Sequence, residues 1–248
     1  MAASARHSQS LPVLPVASCH SGHLPPLAGQ ATNDRMEIPD GMKFFSPEAD
    51  TTVGRNRLPH WDQQGRTYVL TFRLADSVPA HLLRQHRLDE ADWREAHPEP
   101  WTPEVEMEYH RRFTGAIERW LDMGFGECLL RRPACGKIIA EALRHFEGVR
   151  TRLHAWVVMP NHVHVLTEIL PGHTLPDLME SWKGFTAREM NQILGRSGTL
   201  WQKGYHDRLI RDWDHFGNVV RYIRRNPVKA KLPEAAFLAG ESELAAAF

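Results

Sequence analysis

The order of the predicted elements indicates an α+β sandwich, in which helices pack against a sheet. Residues 67–74 and 153–166 contain apolar, β-branched runs with no helical period, which is typical of strands. Residues 103–122, 133–146 and 175–194 are predicted to be helices, and the first two carry proline in the first turn. With a further strand and a last helix, the order becomes β-α-α-β-β-α-β-α.

Composition divides the 248 residues into a central domain and two flanking segments. Residues 1–55 are rich in Ala, Ser, Pro, Gly and His without periodicity, which predicts a disordered or loosely ordered extension. The domain is predicted over residues 56–235, with residues 76–102 as a polar, proline-containing insert and residues 236–248 as a C-terminal tail.

Two histidines follow a break in the second strand region. Residues 153–159 form an apolar run, Pro160 and Asn161 interrupt it, and His162 begins a second run that includes His164. Since strand side chains alternate between faces, both imidazoles are predicted on one face, where they could bind one metal ion. The spacing alone is a weak signal, and two half-exposed strand histidines are the alternative.

The last predicted helix carries a tyrosine and an asparagine one turn apart. Apolar residues recur at three- and four-residue steps from Asp212 to Arg225, and Asp212 is the predicted N-cap. Pro227 disfavours helical geometry at Asn226, so the helix is predicted to end there. Tyr222 and Asn226 then lie on one face, away from the apolar stripe. A surface tyrosine and a helix-ending asparagine are the alternative interpretation.

Several segments of the chain resemble the single-tyrosine HUH transposases, and most closely the REP-associated tyrosine transposases. The resemblance covers roughly residues 55–232 in the order of that family, and its motifs follow. They are Arg57-Leu-Pro-His-Trp61, Tyr68-Val-Leu-Thr-Phe-Arg-Leu74, Ala155-Trp-Val-Val-Met-Pro-Asn-His-Val-His-Val-Leu166, Lys183-Gly-Phe-Thr-Ala-Arg-Glu189, Trp201-Gln-Lys-Gly-Tyr-His-Asp-Arg208, Ile210-Arg-Asp212 and Tyr222-Ile-Arg-Arg-Asn-Pro-Val-Lys-Ala230.

The resemblance implies a ferredoxin-like or RRM-like antiparallel sheet with helices packed on one face. It implies that His162 and His164 bind Mg²⁺ or Mn²⁺, that Asn226 completes the metal site, and that Tyr222 is the nucleophile. It also implies action on single-stranded DNA, often near hairpins, without ATP. Attack by Tyr222 would produce a 5′-phosphotyrosyl intermediate and a free 3′-hydroxyl, and reversal would rejoin the strand.

Three alternatives remain open at this point. Tyr205 is a rival nucleophile because it lies in a basic segment beside His206. A metal-dependent hydrolase would use the two histidines with water as the nucleophile. A binding module would hold hairpin DNA without cutting it.

The distribution of charge favours contact with DNA near the predicted nucleophile. The whole chain has 30 basic and 30 acidic residues, but residues 181–231 carry eleven Lys and Arg against four acids. Predicted DNA contacts are Lys183, Arg188, Lys203, Arg208, Arg211, Arg221, Arg224, Arg225 and Lys229. Trp61, Trp182 and Trp201 are predicted either to stack on unpaired bases or to pack internally.

The remaining sequence features concern location and assembly. The three cysteines, Cys19, Cys128 and Cys135, lack metal or disulfide spacing, which favours a reducing cytoplasm, with association to the nucleoid. No apolar run approaches the length of a membrane span, so no membrane partner is expected. Both a monomer and a homodimer are compatible with the sequence.

Overall fold

A five-stranded antiparallel sheet forms the centre of the fold in the computed structural model, which describes residues 42–46, 49, 52–55, 59–63 and 65–248. Residues 1–41, most of the predicted N-terminal extension, lie outside the described residues. The strand order is β6-β3-β5-β4-β7, and a separate pair is formed by β1 and β2. The strands are β1 (Thr52–Arg55), β2 (Pro59–Asp62), β3 (Thr67–Arg73), β4 (Thr151–Val158), β5 (His162–Ile169), β6 (His206–Leu209) and β7 (Leu238–Glu241).

Seven α-helices accompany the strands in the described part of the chain. They are α1 (Ala80–Ala96), α2 (Pro103–Tyr109), α3 (Gly115–Asp122), α4 (Pro133–His145), α5 (Leu175–Ile193), α6 (Trp213–Lys229) and α7 (Glu243–Ala246). A π-helical turn, His110–Thr114, joins α2 to α3, so residues 103–122 form one continuous helical segment. None of the helices in this part of the chain combines the length and the apolar character that a membrane span requires.

Helices cover both faces of the sheet, because each strand buries its side chains in two directions. On one face α4 and α5 pack against β3 and β5 in a cluster that includes Leu70, Val165 and Trp182. On the other face α6 packs in a cluster that includes Val157 and Phe216. The predicted α+β class with an antiparallel sheet is confirmed, but the helices are divided between two faces rather than packed on one.

Helix α6 starts as predicted and extends past its predicted end. The Asp212 carboxylate accepts a hydrogen bond from the backbone N–H of His215 at 2.7 Å, which caps the first turn. The helix continues through Pro227 to Lys229, and the Ala230 N–H donates to the Asn226 carbonyl at 3.0 Å. Proline removes one donor, but burial of Asn226 and Pro227 against the sheet stabilises the extra turn.

Two segments that the sequence presented as peripheral are ordered parts of the fold. The polar insert, residues 76–102, contains the 17-residue helix α1, whose Trp93 packs against Tyr109 and Phe113. The predicted tail, residues 236–248, supplies β7, which pairs antiparallel with β4. Helix α1 could not be recognised from composition, because it buries a single tryptophan among many charged residues.

We expect removal of residues 236–248 to destabilise the whole domain. The truncation removes β7, which pairs with β4. It also removes Phe248, whose ring centroid lies 5.5 Å from that of Phe216, and so exposes the Phe216 ring. The lost apolar burial should lower the free energy of unfolding by at least about 2 kcal/mol, measurable by urea titration. An unchanged urea midpoint would show that this segment does not stabilise the fold.

Candidate metal and nucleophile site

His162 and His164 lie together on the face of β5 that α6 covers. Their ring centroids are 4.7 Å apart at an interplanar angle of 85°, and each residue is only 1% exposed. The alternative of two half-exposed strand histidines is therefore wrong. Alternation along β5 turns both imidazoles toward α6, while Val163 and Val165 enter the cluster on the opposite face.

A neighbouring polar side chain holds one nitrogen of each imidazole. Nδ1 of His162 lies 2.8 Å from Oδ1 of Asn161, whose own Nδ2 donates to the carbonyls of Leu121 and Phe125 at 3.3 and 3.1 Å. Since that amide nitrogen is turned away, Nδ1 of His162 must carry the proton, which leaves Nε2 as the ligand nitrogen. Nδ1 of His164 lies 2.8 Å from the hydroxyl of Thr71.

Both imidazoles are neutral at physiological pH, as metal ligands must be. Burial lowers the pKa of His162 well below its usual value, and the nearby charges of His164 and Lys229 lower it further. Burial also lowers the pKa of His164 to about 3, with smaller effects from His206 and Lys229. The surroundings therefore disfavour an imidazolium at either position.

Tyr222 on α6 packs directly against this pair. Its ring centroid lies 5.3 Å from that of His164 at 77°, and its hydroxyl donates a hydrogen bond to Oε1 of Glu118 at 3.0 Å. Burial, followed by the Glu118 charge, raises the pKa of the phenol, while the Asn226 amide opposes this rise. The phenol is thus protonated and held in place by a carboxylate from α3.

Two residues of the candidate site carry buried polar atoms without hydrogen-bond partners. Within the described residues, Nε2 of His164 and both polar atoms of the Asn226 side chain make no hydrogen bond. Such atoms are costly to bury unless something binds them, and an imidazole nitrogen with an amide oxygen suits Mn²⁺ or Mg²⁺. In the described part of the chain, no three or more His, Cys, Asp or Glu side chains are arranged to hold a metal ion, so the candidate ligand set includes the amide of Asn226.

Charged groups surround the site on several sides. Lys229 forms an ion pair with Asp122 at 2.8 Å, at the end of the α3 helix that also carries Glu118. Arg73 is the cross-strand partner of His162, and its guanidinium donates to the hydroxyl of Ser77 at 3.0 Å. Burial lowers the pKa of Arg73 to about 10, so this half-buried cation stays charged beside the site at physiological pH.

The structure distributes the predicted DNA-contact residues over both sides of the sheet. Lys183 and Arg188 lie on α5, on the face opposite the histidines, and Lys183 donates to the carbonyls of Gln202 and Gly204 at 2.8 and 2.6 Å. Lys203 and Arg225 are exposed. Others bind protein groups: Arg211 pairs with Glu106 at 2.7 Å, Arg224 with Glu241 at 2.7 Å, Lys229 with Asp122, and Arg221 donates to Asn218 at 3.0 Å, while Arg208 is half-buried on β6.

The rival aromatic candidates are placed away from the two histidines. Tyr205 packs against the cluster on the α4–α5 face, whereas the histidines face α6. Trp182 and Trp201 are 1% and 5% exposed, so they pack in the core and cannot stack on bases. The side chain of Trp61 lies outside the described residues.

Sequence reasoning missed several residues that build the site. Asn161 was a visible signal, because it directly precedes His162, but it was interpreted only as a strand break. Glu118 lies 104 residues from Tyr222, and no local pattern in α3 distinguishes it from a surface acid. Thr71 and Arg73 alternate on β3 opposite the histidines, which becomes apparent only from the register of β3 with β5.

The comparisons with known proteins bear on the central part of the chain. The family model described as IS200-like transposase matches residues 131–226. A structure of a REP-associated tyrosine transposase bound to a REP hairpin is 16% identical, with a TM-score of 0.38 over 70% of this chain and 73% of that one. A crystal structure from Deinococcus radiodurans R1, assigned as a transposase, is 16% identical, with a TM-score of 0.26 over 70% and 97% of the two chains. No curated protein matches the sequence.

The matched segment contains every residue of the candidate site that the sequence predicted. It includes His162, His164 and Tyr222, and it ends at Asn226. Strand β5 and helix α6, which carry these side chains, also begin inside it. Residues 131–226 of this chain are therefore similar to the IS200-like transposases.

Proposed function

We propose that the protein cuts and rejoins single-stranded, hairpin-bearing DNA through a covalent 5′-phosphotyrosyl intermediate. Tyr222 is the nucleophile, and His162, His164 and Asn226 hold one Mg²⁺ or Mn²⁺ ion. The match of residues 131–226 to the IS200-like transposase model supports DNA cleavage and transposition as the general activity. The single-tyrosine mechanism, the metal and the hairpin substrate are the parts that this proposal adds.

The packing of Tyr222 on His164 carries the proposal. A tyrosine with its ring 5.3 Å from a buried imidazole, next to unpaired ligand atoms on His164 and Asn226, is the arrangement that covalent phosphoryl transfer needs. A hydrolase with water as the nucleophile does not require a phenol at this position. A module that only binds DNA does not require buried ligand atoms that lack hydrogen-bond partners.

In the proposed reaction, the oxygen of Tyr222 forms a bond to phosphorus while the bond from phosphorus to the 3′-oxygen breaks. The departing strand takes up a proton and becomes a 3′-hydroxyl end. Glu118, which accepts the hydrogen bond of the phenol at 3.0 Å, is in position to receive the tyrosine proton. A bound Mg²⁺ or Mn²⁺ ion would polarise the scissile phosphate and offset its developing charge.

The nine predicted basic residues divide into two groups under this proposal. Lys203, Arg208, Arg211, Arg221, Arg224, Arg225 and Lys229 belong to the segments that contain or flank α6, and we assign them contacts with the DNA backbone. Several would have to exchange a protein partner for phosphate, as Arg211 would with Glu106. For Lys183 and Arg188, on the opposite face, we propose a contact only with DNA that extends around the sheet.

Covalent trapping tests the proposed function. The protein is incubated with labelled single-stranded hairpins from the flanks of its own gene and Mn²⁺, then denatured and separated by electrophoresis. We expect a protein–DNA adduct that disappears in EDTA. Cleavage without any adduct would instead support hydrolysis by water, and binding without cleavage on every flank would support the binding module.

A single chain should form a complete site, because Tyr222 packs on His164 and donates a hydrogen bond to Glu118 of the same chain. We therefore expect a mixture of the Tyr222→Phe and His164→Ala proteins to form no adduct. The measurement is adduct yield in the mixture against each variant alone and against the unmodified protein. Recovery of about a quarter or more of the unmodified yield would show that the tyrosine is supplied by a second subunit.

A further inference from the structure

A second cleft lies beside the candidate site, between the α1–α2 segment and the edge strand β6. Its volume is about 940 Å³, and its walls include Trp101, Tyr109, Glu106, His206, Arg208 and Arg211. Trp101 and Tyr109 come from the insert and the helix that follows it, whereas the basic residues come from β6 and the turn after it.

The cleft is continuous with the catalytic face of the sheet. Thr71 is the register partner of His164 on one side and of His206 on the other, so all three side chains share one face. A DNA strand bound at the histidines can therefore continue across β3 and β6 into the cleft.

One helical segment borders both places. Residues 103–122 contact Arg211 through Glu106 and contact Tyr222 through Glu118. At 1.5 Å per residue, these two glutamates are roughly 18 Å apart along the helix. The cleft and Tyr222 therefore lie near opposite ends of this helical segment.

Arg208 and Arg211 lie close together in the cleft, although its three arginines are balanced by three acids. Burial and the nearby Arg211 charge lower the pKa of Arg208, and Glu106 only partly offsets this. The Glu106 carboxylate already contacts Arg211 at 2.7 Å and His110 at 3.5 Å. The other acids of the cleft are Glu99, which pairs with Arg94 at 3.2 Å, and Asp207. A phosphate between Arg208 and Arg211 would relieve the repulsion of these two guanidinium groups.

The opposite wall offers a fixed aromatic surface. The indole N–H of Trp101 donates to the His97 carbonyl at 2.7 Å, and the Arg94 guanidinium lies 4.9 Å from the ring centroid. Arg94 also lies 4.7 Å from the ring centroid of Tyr109. Aromatic rings beside arginine side chains are a common platform for unpaired bases, whose faces are not accessible in a duplex.

We infer that this cleft binds unpaired nucleotides of the DNA strand that flanks the cut, with Trp101 stacking on a base and Arg208 and Arg211 binding the phosphates. The inference rests on the proposed function for its choice of DNA as the ligand. It assigns to the insert the binding of single-stranded DNA on either side of the cut. The two histidines and Tyr222 do not perform this binding.

The test is equilibrium binding of labelled single-stranded oligonucleotides of about ten nucleotides, measured by fluorescence anisotropy in EDTA. We expect Trp101→Ala to weaken binding about tenfold, and Arg211→Gln to reduce the slope of log affinity against log salt by about one. Ile193→Ala and Lys137→Gln are the control variants, because both side chains are exposed on α5 and α4, the helices on the other face of the sheet. Both controls should bind within about twofold of the unmodified protein.

Three results would overturn the inference. They are unchanged single-strand affinity in both Trp101→Ala and Arg211→Gln, an equal loss of affinity for duplex DNA of the same sequence, and an equal loss in the two control variants. Arg211 is half-exposed, so its variant keeps the test valid if Trp101→Ala unfolds. Because no metal or cleavage is needed, failure of covalent trapping leaves this measurement intact, and the reverse also holds.

Discussion

Replacing Tyr222 by phenylalanine should abolish adduct formation and lower strand cleavage by at least about 10⁴-fold, as removal of a covalent nucleophile does. The phenylalanine ring can keep the contact with His164, since only the hydroxyl and its bond to Glu118 are lost. One hydrogen bond contributes about 1 kcal/mol, so the domain should remain folded. Adduct yield on a denaturing gel and the urea midpoint provide the two measurements.

Tyr205→Phe is the matched control for this experiment. It removes a phenolic hydroxyl from the only other tyrosine in the basic segment, on the α4–α5 side of the sheet. We expect this variant to form the adduct at close to the unmodified rate. If cleavage persists in Tyr222→Phe but is lost in Tyr205→Phe, Tyr205 is the nucleophile. If cleavage persists in both variants, water is the nucleophile.

Replacing His164 by alanine should remove both metal binding and metal-dependent cleavage. The unmodified protein should be stabilised by Mn²⁺ in a thermal melt, by about 2.7 kcal/mol when the ion is present at one hundred times its dissociation constant. In His164→Ala this Mn²⁺-dependent shift should vanish, and cleavage should fall by at least about 100-fold. The measurements are the melting temperature with and without Mn²⁺ and the adduct yield.

His154→Ala separates loss of the metal from loss of packing. His154 is also buried, at 2% exposure, and its ring packs against Phe216 at 5.1 Å rather than against Tyr222. Both variants should melt at a lower temperature, because each leaves a cavity. Only His154→Ala should keep the Mn²⁺-dependent shift. A retained shift in His164→Ala would remove His164 from the ligand set.

Local patterns were sufficient for the parts of the site that lie within one element. Alternation placed His162 and His164 on one face of β5, and helical spacing brought Tyr222 and Asn226 together on α6. The family resemblance then supplied their chemical roles, which spacing alone left open. Each of these inferences depends on neighbours at most four residues apart, where backbone geometry determines which side chains meet.

The features that sequence reasoning missed depend on long-range packing. Glu118 reaches Tyr222 from 104 residues away, and Arg224 is held by Glu241 from β7. The end of α6 was predicted too early because burial of Pro227 outweighed its local preference. The insert was predicted only as polar and proline-containing, and helix α1 was missed because it buries only one tryptophan among charged residues. In each case tertiary contacts overrode a correct local tendency.

The position of Phe248 has a practical consequence for handling the protein. Its ring lies 4.9 Å from that of Trp213 and 5.5 Å from that of Phe216, both on the helix that carries Tyr222. A Cβ added at Gly217 would meet the same ring at 2.5 Å, so there is no spare room at this contact. A side chain introduced at position 217 would therefore displace the Phe248 ring from the helix that carries Tyr222, so variants made on this helix should leave Gly217 unchanged.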